Sequence, residues 1–336
     1  MTIKDIAKTC GVGVSTVSRV LNNKPDVSDS VRQKVLEAVK ESGYIPNNSA
    51  RDLVKTHSDA IGVIVRGMGN LFFAELLKTI STEIDKHGYT MVLHLIDADS
   101  DEIKAGAVLE REKKLRGIIF MGGRYDYAPE ELSTIGVPYV FCAYSNFFGS
   151  LYFKNYSSVS IDDYKTAYNA VEHLISMGHR RIAALVSGCC DKSVSQLRYN
   201  GYLAALKENG IEFRKELIKE TGSYEMKDAY KGTLELIESA PDFTALFTVS
   251  DSTAIAAMKA FNEKGYSVPE DVSIIAIDGL EFSEYTYPTL CTMIQPTEEM
   301  GRKSVEILLN IINNGEEHRH ERLNASLRQG RSVKSI

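Results

Sequence analysis

The N-terminal region contains a short stretch whose exposed side chains could bind nucleic acid. Val17, Val20 and Leu21 have the spacing of an apolar helix face, which leaves the opposite face to solvent. That face would carry hydroxyls, a guanidinium and an amide, on Ser15, Thr16, Ser18, Arg19 and Asn22. Such groups donate hydrogen bonds to phosphates and base edges, as a DNA contact would require. For a single arginine among hydroxyls, an ordinary solvated helix face is the interpretation normally favoured from these residues alone.

A second group of candidate residues follows short apolar runs in the rest of the chain. A small polyol binds against flat apolar surfaces and forms hydrogen bonds with charged and amide groups. Side chains of these types stand at the carboxyl ends of predicted strands: Phe72, Phe73, Lys192, Arg198, Tyr224, Ser250, Asp251 and Asp278. This pattern predicts a cleft that binds a small polyol.

These cleft residues also have simpler interpretations. The two phenylalanines could belong to a dimer core, Arg198 could pair structurally with Asp278, and Tyr224 could pack within a loop. Lys192 could be a solvated loop lysine, because lysines are rarely buried. Arg66, Lys192 and Arg198 together could make the cleft basic, so a phosphorylated or carboxylated sugar carries as much weight as a neutral one.

Three short helices are predicted to position the N-terminal residues. The apolar positions at helical spacing are Ile3, Ile6, Ala7 and Cys10 in the first helix and Val31, Val35, Ala38 and Val39 in the third. The first helix ends at Gly11, and the third begins with Ser28 as a plausible N-cap and ends at Gly43. Short helices joined by a glycine turn predict a helix-turn-helix unit.

From residue 60 onward, short apolar runs alternate with amphipathic helical stretches. The predicted strands are 60–65, 91–96, 117–120 and 139–142 in one set, and 159–161, 182–186, 245–249 and 274–277 in a second. Alternation of this kind predicts an α/β core of two doubly wound parallel sheets with a cleft between them. Open parallel sheets bind ligands at the carboxyl ends of their strands.

Net charge divides unevenly between these regions. The whole chain has 39 Lys and Arg against 45 Asp and Glu, and the resulting −6 would by itself disfavour a nucleic-acid partner. Residues 1–58 contain nine basic and six acidic residues, which gives +3 there and −9 in the remainder. A basic N-terminal region, doubled by dimerisation, can contact phosphates while the acidic remainder repels non-specific DNA.

The N-terminal strings match a known pattern in register. They are Thr2-Ile3-Lys4-Asp5-Ile6-Ala7, Gly11-Val12, Thr16-Val17-Ser18-Arg19-Val20-Leu21-Asn22 and Gly43-Tyr44-Ile45-Pro46-Asn47. This region resembles the DNA-binding headpiece of the lactose-repressor/galactose-repressor (LacI/GalR) family. The resemblance implies that Val14, Ser15 and Arg19 contact bases. It implies that the DNA backbone is contacted by Thr16, Ser18, Asn22, Ser28 and Asn47.

The segment 46–56 is short and polar, begins with a proline and carries one isolated leucine. Alone, such a segment is too short to form a stable helix in water. In the family that it resembles, this is the hinge helix, which orders when two copies meet on DNA and inserts its leucine into the minor groove. Leu53 occupies that position, with Asn47, Ala50 and Arg51 on the flanking turn. The alternative is a plain linker with one hydrophobic residue.

The rest of the chain resembles the effector-binding core of the same family, which is similar in fold to periplasmic sugar-binding proteins. The matching strings include Ile61-Gly62-Val63-Ile64, Asn70-Leu71-Phe72-Phe73, Gly178-His179-Arg180-Arg181-Ile182, Val268-Pro269-Glu270-Asp271-Val272-Ser273 and Gln295-Pro296. The resemblance implies effector contacts by Phe72, Phe73, Lys192, Arg198, Tyr224, Ser250 and Asp278.

The expected domain organisation has three regions. Residues 1–45 form the headpiece, residues 46–58 form the hinge helix and linker, and residues 59–336 form the effector-binding and dimerisation core. Within the core, we expect a first subdomain of about 59–157 plus 296–317 and a second of about 158–290 plus 320–330. The last strand, near residues 323–327, is expected to return to the second subdomain.

Other chemistry is not indicated. The five cysteines lack the spacing of a disulfide or zinc framework, and the adjacent Cys189 and Cys190 are expected to be structural or incidental. His318 and His320 could bind a metal but are more typical of solvated surface. Without an enzymatic motif, we expect no catalytic residue, metal or cofactor. The polar N-terminus and the lack of a long apolar run favour the cytoplasm and exclude a membrane span.

The sequence therefore predicts a homodimeric, effector-controlled transcriptional regulator, a repressor of a carbohydrate operon. It would bind a pseudo-palindromic operator, and a small sugar-like effector in the cleft would alter headpiece spacing and hinge order. The effector could relieve or promote DNA binding. The alternative function is a solute-binding component of a transport system that uses the same core, and the intact headpiece weighs against it.

Overall fold

The computed structural model describes residues 2–21, 24–43, 58–67, 71–240 and 242–336. The chain divides into two compact units, Met1–Ser58 and Asp59–Ile336. Five of the predicted DNA contacts lie outside the described residues: Asn22, Asn47, Ala50, Arg51 and Leu53.

The described part of the first unit contains three helices around a small apolar core. The helices are α1 (Ile3–Cys10), α2 (Val14–Leu21) and α3 (Asp29–Ser42). Ile6, Val17 and Val35, one from each helix, are at most 1% exposed. The apolar positions predicted from helical spacing therefore meet in one core, and the helix-turn-helix headpiece is confirmed.

Local hydrogen bonds explain where these helices begin and end. Thr2 and Asp5 cap α1 reciprocally, because the Asp5 amide donates to Thr2 Oγ1 at 3.4 Å and the Thr2 amide donates to the Asp5 carboxylate at 2.7 Å. Gly11 ends α1 with a φ of 63°, a left-handed conformation that favours glycine. Ser28 precedes α3 as predicted. Its hydroxyl lies 3.4 Å from that of Ser30, and within the described headpiece it does not cap the helix backbone.

The described part of the second unit contains two six-stranded sheets. In chain order the strands are β1 (Ala60–Arg66), β2 (Thr90–Ile96), β3 (Gly117–Met121), β4 (Tyr139–Cys142), β5 (Ser157–Ile161), β6 (Ile182–Val186), β7 (Ile218–Glu220), β8 (Ala245–Thr248), β9 (Ser273–Asp278), β10 (Cys291–Ile294), β11 (His320–Leu323) and β12 (Ser326–Arg328). The first sheet has the order β11-β5-β4-β3-β1-β2, and the second has the order β12-β10-β9-β8-β6-β7. Neighbouring strands are parallel except β10 and β12, so the predicted doubly wound fold class is confirmed.

Helices cover both faces of each sheet. They are α4 (Phe72–Lys86), α5 (Glu102–Lys113), α6 (Pro129–Leu132), α7 (Asp163–Ser176), α8 (Val194–Glu208), α9 (Met226–Ser239), α10 (Asp251–Glu263) and α11 (Thr297–Asn314). Along β1, Ile61, Val63 and Val65 join one apolar cluster and Ile64 joins another. Burial on both faces explains why β1 is a continuous apolar run. No helix in the described ranges has the length and apolar character that spanning a bilayer requires.

Strand β5 lies in the first sheet, whereas the sequence predicted residues 159–161 for the second. Val140 pairs with Ser157 and Cys142 pairs with Val159, so β5 continues the first sheet beside β4. Every residue of β5 is buried, a pattern that a central parallel strand of either sheet would have. The first subdomain therefore extends to Ile161, beyond the expected boundary at residue 157.

The last predicted strand, near residues 323–327, divides into two strands in different sheets. β11 pairs in parallel with β5 in the first sheet, with Leu323 beside Ile161. β12 pairs antiparallel with β10 in the second sheet, with Leu327 beside Met293. Residues 320–323 thus belong to the first subdomain and not to the second. We define the first subdomain by the first sheet with α4, α5, α6 and α11, and the second by the second sheet with α7 to α10.

Candidate functional site

The predicted DNA contacts on α2 that the structure describes lie on the solvent-facing side of this helix. Val14, Ser15 and Arg19 are exposed, and Thr16 and Ser18 are partly buried. An exposed valine offers methyl groups to a thymine methyl, whereas an exposed arginine can donate two hydrogen bonds to a guanine. This helix therefore presents the side-chain chemistry needed to contact base edges.

Arg19 forms an ion pair on this surface. Its Nη1 lies 3.2 Å from Asp26 Oδ2, and the two side chains are 59% and 53% exposed. Exposed pairs of this kind contribute about 0–1 kcal/mol to stability, so DNA can replace Asp26 at little cost. Ser28 is also exposed, on the N-terminal side of α3.

A cavity of about 660 Å³ lies in the core, at the carboxyl ends of strands from both sheets. Segments that follow β1, β2, β3 and β4 line it from the first subdomain, and segments that follow β6, β7 and β9 line it from the second. Its position and volume are typical of ligand sites in open parallel α/β folds. The lining brings together these predicted residues: Phe72, Phe73, Lys192, Arg198, Tyr224 and Asp278.

Ser250, which was also expected to contact the effector, does not belong to the described lining of this cavity. It is fully buried, and its hydroxyl accepts a hydrogen bond from the Thr253 amide at 3.3 Å, at the start of α10. Ser250 is therefore a helix cap. The next residue, Asp251, accepts hydrogen bonds from the Leu280 amide at 2.8 Å and the Ser283 hydroxyl at 2.7 Å. Asp251 thereby holds the loop that follows Asp278.

Arg198 is the centre of a buried charged cluster in the cavity lining. Its Nε and Nη2 lie 2.9 and 2.8 Å from Asp163 Oδ1, and its Nη1 lies 3.6 Å from Asp278 Oδ1. Nη1 also donates to the Val249 carbonyl. Gln295 Nε2 donates to Asp278 Oδ1 at 2.8 Å. The predicted structural pairing of Arg198 with Asp278 is thus present within the cavity wall, where it does not exclude a binding role.

The surroundings of Asp278 disfavour its ionised carboxylate, and its backbone conformation is rare. Burial raises the pKa of its carboxyl to about 8, although the positive charge of Arg198 acts in the opposite direction. Its φ of 142° is a conformation that non-glycine residues rarely adopt. Oδ2 has no hydrogen-bond partner among the described residues. Strain and an unsatisfied acceptor at one residue are typical of a ligand-binding position.

Aromatic side chains form the apolar part of the wall. The rings of Phe72 and Phe73 lie 5.7 Å apart; Phe72 is buried in the core, and Phe73 is partly buried. A Cβ atom on Gly122 would lie 3.0 Å from the Phe73 ring, so glycine allows the ring to approach this turn. The Tyr224 hydroxyl is buried without a partner among the described residues. These rings can contact the C–H faces of a sugar.

Each remaining cation of the lining faces a carboxylate. Arg66 Nε lies 3.5 Å from Glu102 Oε2, and Lys192 Nζ lies 3.4 Å from Asp126 Oδ2. Arg124 Nε lies 3.0 Å from Asp126 Oδ1. The lining also contains the acids Asp97, Asp163, Asp191, Glu225 and Asp278. The basic cleft suggested by the cations alone is therefore neutralised.

Some functional residues were not predicted from the sequence. Asp163 could have been found as an acid in the first turn of a helix that directly follows a strand. Gln295 belongs to one of the strings that match the family, but the effector contacts implied by the resemblance do not include it. Glu102 carries no local signal, because its 2% exposure and its contact with Arg66 depend on tertiary packing. Burial raises the pKa of the Glu102 carboxyl, and the charge of Arg66 opposes this.

His318, His320 and Cys189 lie outside the cavity lining and have structural surroundings. His318 Nδ1 lies 3.0 Å from Ser157 Oγ, and His320 Nδ1 lies 2.9 Å from Ser158 Oγ, so both rings are attached to β5 and are not solvated surface. Burial raises the pKa of the Cys189 thiol to about 12, which disfavours a reactive thiolate. The described ranges contain no group of three or more His, Cys, Asp or Glu that could hold a metal ion.

Two protein-family models match the two units. The model described as bacterial regulatory proteins, lacI family, matches residues 2–47. The model described as a periplasmic binding protein-like domain matches residues 171–333. The first match distinguishes this chain from a transporter component that has only the core.

Similar proteins match over nearly the whole chain. The HTH-type transcriptional regulator MalR of Clostridium butyricum is 41% identical over 329 residues, which cover 97% of each chain. Catabolite control protein A of Priestia megaterium is 32% identical and covers 93% of each.

Two solved structures are also similar. The lac repressor dimer bound to operator and the anti-inducer ONPF has 25% identity and a TM-score of 0.83 over 100% of this chain and 99% of that chain. A complex of the transcriptional regulator CelR with cellobiose has 28% identity and a TM-score of 0.73 over 99% of both. Together with the headpiece and the cavity, these similarities show that the chain belongs to the LacI family of bacterial transcriptional regulators.

Proposed function

We propose that this regulator represses a carbohydrate-utilisation operon and that a small, neutral, sugar-like effector in the core cavity sets its operator affinity. The observation that carries the proposal is the buried Arg198–Asp278 pair beside aromatic rings in that cavity. A guanidinium and a carboxylate can donate to and accept from adjacent hydroxyls, and aromatic faces suit the C–H surface of a sugar. The similar regulator CelR forms a complex with cellobiose, which supports the same class of ligand.

The charges of the cavity favour a neutral effector over a phosphorylated one. A phosphate group requires cations that are free to bind it, whereas Arg66, Lys192 and Arg198 each face a carboxylate. A dianion would also be repelled by the acids of the lining. Asp278 Oδ2 and the Tyr224 hydroxyl, both without partners among the described residues, offer an acceptor and a donor to sugar hydroxyls.

The proposed effector contacts come from both subdomains. Phe72 and Phe73 supply the apolar face from α4. Arg198, Tyr224 and Asp278 supply hydrogen bonds from the second subdomain. Asp163 and Gln295 position Arg198 and Asp278, because each forms a hydrogen bond with one of them.

The proposed DNA contacts follow the resemblance in the headpiece. Val14, Ser15 and Arg19 would contact bases, and the DNA backbone would be contacted by Thr16, Ser18, Asn22, Ser28 and Asn47. Asn47, Ala50 and Arg51 would flank Leu53, which would insert into the minor groove of a kinked operator. Two headpieces from a homodimer would bind the two halves of a pseudo-palindromic operator.

The proposed mechanism is linkage between the cavity and the headpieces. An effector with different affinities for open and closed cores changes the relative population of the two. That change would alter the separation of the headpieces and the order of the hinge helices on the operator. The sign of the effect, induction or co-repression, follows from which core conformation binds the operator.

A mobility-shift assay with DNA from upstream of the regulated genes tests this proposal. Full-length protein is titrated in the presence of glucose, ribose, maltose and cellobiose, and of glucose 6-phosphate and ribose 5-phosphate as matched phosphorylated sugars. We expect at least one neutral sugar to change operator affinity and the phosphorylated sugars to have no effect. A response confined to phosphorylated sugars would overturn the proposal that the effector is neutral. Equal binding to operator and shuffled DNA would overturn the proposal that the protein regulates an operon through a specific operator.

A further inference from the structure

An ion pair joins the two subdomains at the edge of the cavity. Asp126 lies between β3 and α6 of the first subdomain, and Lys192 lies between β6 and α8 of the second. Lys192 Nζ donates to Asp126 Oδ2 at 3.4 Å. Lys192 is 60% exposed and also lines the cavity, which places the pair at the entrance. We call this pair the Asp126–Lys192 bridge.

The loop that carries Lys192 is organised to present it. Lys192 has a φ of 52°, a left-handed conformation that is costly for a residue with a side chain. Its amide donates to Gln196 Oε1 at 2.7 Å. The adjacent Asp191 carboxylate accepts hydrogen bonds from the Ser193 amide at 3.1 Å and the Ser193 hydroxyl at 2.6 Å. These bonds fix the backbone around Lys192. A freely solvated loop lysine would not have a backbone fixed in this way.

Asp126 is fixed on the opposite side of the entrance. Arg124 Nε donates to Asp126 Oδ1 at 3.0 Å, and Arg124 Nη2 donates to Glu131 at 2.8 Å. The two oxygens of Asp126 therefore face two cations, one from each subdomain. The hydrogen bonds from Arg124 and Lys192 lower the pKa of the Asp126 carboxyl, although partial burial acts against them.

Apolar contacts accompany the bridge. Val194 and Leu197, from the first turn of α8, belong to the same apolar cluster as Tyr125, Tyr144 and Phe148 of the first subdomain. Leu197 is 4% exposed. The second subdomain therefore already packs against the first on this side of the cavity.

We propose that the Asp126–Lys192 bridge stabilises the closed conformation of the core relative to the open one, so that Lys192 controls effector affinity through closure and not by contacting the effector. Effector exchange then requires the bridge to open, and the bridge stabilises the closed, effector-bound core. An exposed ion pair of this kind changes such an equilibrium by up to about fivefold. The effect on effector affinity rests on the proposed function, whereas the bridge itself does not.

Carbodiimide coupling tests the bridge without any effector. The reagent activates a carboxylate, which then forms an amide with a lysine in contact with it, and the reagent leaves as its urea. After proteolysis of the full-length protein, we expect mass spectrometry to find the Asp126 peptide joined to the Lys192 peptide. Asp126→Asn and Lys192→Gln should each abolish this product.

A charge exchange makes the coupling test specific. In the double variant Asp126→Lys and Lys192→Asp, the coupled product between positions 126 and 192 should return. The Lys264–Glu238 pair, at 3.1 Å, is the positive control. Coupling of Lys264 to Glu238 without coupling between positions 126 and 192 would overturn the bridge.

Calorimetric titration with the neutral sugars named above tests the consequence for the effector. Asp126→Asn and Lys192→Gln should each weaken binding by up to about fivefold, and less at high salt, because the pair is exposed. The charge exchange should restore most of the affinity, and Lys207→Gln on α8 is the matched control. Unchanged affinity in both single variants would overturn the role in closure. Coupling between positions 126 and 192 without binding of any sugar would refute the proposed effector and leave the bridge standing.

Discussion

Arg198 and Asp278 face each other in the cavity wall, with 3.6 Å between Nη1 and Oδ1, and neither side chain is more than 5% exposed. Asp163 binds the same guanidinium at 2.8 Å from the start of α7. One buried arginine therefore serves two buried carboxylates, and burial raises the pKa of both carboxyls. This arrangement leaves acceptor capacity on Asp278 that a ligand hydroxyl can use.

Arg198 should be essential for stability as well as for the effector response. Arg198→Ala would leave Asp163 and Asp278 buried without a cation, and breaking a buried pair costs about 3–5 kcal/mol. We expect a clearly lower urea midpoint for this variant, measured by circular dichroism. An unchanged midpoint would mean that the two carboxyls are protonated or solvated without Arg198.

Asp278→Asn should separate the effector response from folding, because asparagine keeps the shape and the Oδ1 acceptor but replaces the unpartnered Oδ2 with an amide donor. We expect loss of the sugar response and unchanged operator binding without sugar, both measured by mobility shift. A normal sugar response would remove Asp278 from the effector site.

The stability of the core should depend on pH through Asp278. Burial raises the pKa of this carboxyl from 3.8 to about 8, so the folded state favours its neutral form. Such a group stabilises the fold below its unfolded pKa and loses this contribution as pH rises from about 4 to about 8. We expect the Tm of the natural protein to fall relative to that of Asp278→Asn between about pH 5 and pH 8. A difference in Tm that does not vary with pH would contradict this assignment.

Ser250→Ala should affect stability and leave sugar binding unchanged. The Ser250 hydroxyl caps α10 through the Thr253 amide, and loss of such a cap costs about 0.5–2 kcal/mol. Urea unfolding measures the stability, and calorimetric titration measures the sugar affinity. Weaker sugar binding at unchanged stability would return Ser250 to the effector site.

Arg19→Ala should relax the base preference of the headpiece. A bidentate contact to guanine is worth about 1–3 kcal/mol of discrimination, so affinities for the operator and for single-base variants should converge. Asp26→Ala is the matched control, because it removes the partner of Arg19 and keeps the guanidinium. Unchanged operator selectivity in Arg19→Ala would exclude the assigned role.

Leu53→Ala should weaken specific binding far more than non-specific binding. Insertion of an apolar side chain kinks the operator, and the kink allows additional contacts that non-specific DNA does not make. Competition assays with operator and random DNA measure the two affinities. Equal losses on both would refute the insertion of Leu53.

Much of the cavity could be predicted because parallel strands bring their carboxyl ends to one edge of a sheet. A local pattern was sufficient to find Phe73, Arg198 and Asp278, because each lies at the end of an apolar strand or on the segment that follows one. The charge balance could not be predicted in this way. Arg66 and Lys192 looked like free cations in the sequence, but Glu102 and Asp126 neutralise them from other loops.

The sequence by itself determined the local elements of this protein. The spacing of Ile6, Val17 and Val35 defined the headpiece, and short apolar runs alternating with amphipathic stretches defined the strands and helices of the core, because these signals act within a few residues. The tertiary structure alone decided that β5 and β11 join the first sheet and that Asp126 meets Lys192 across the cavity. Strand pairing and loop contacts join segments that are distant in the chain, and a buried strand has the same pattern of apolar residues in either sheet.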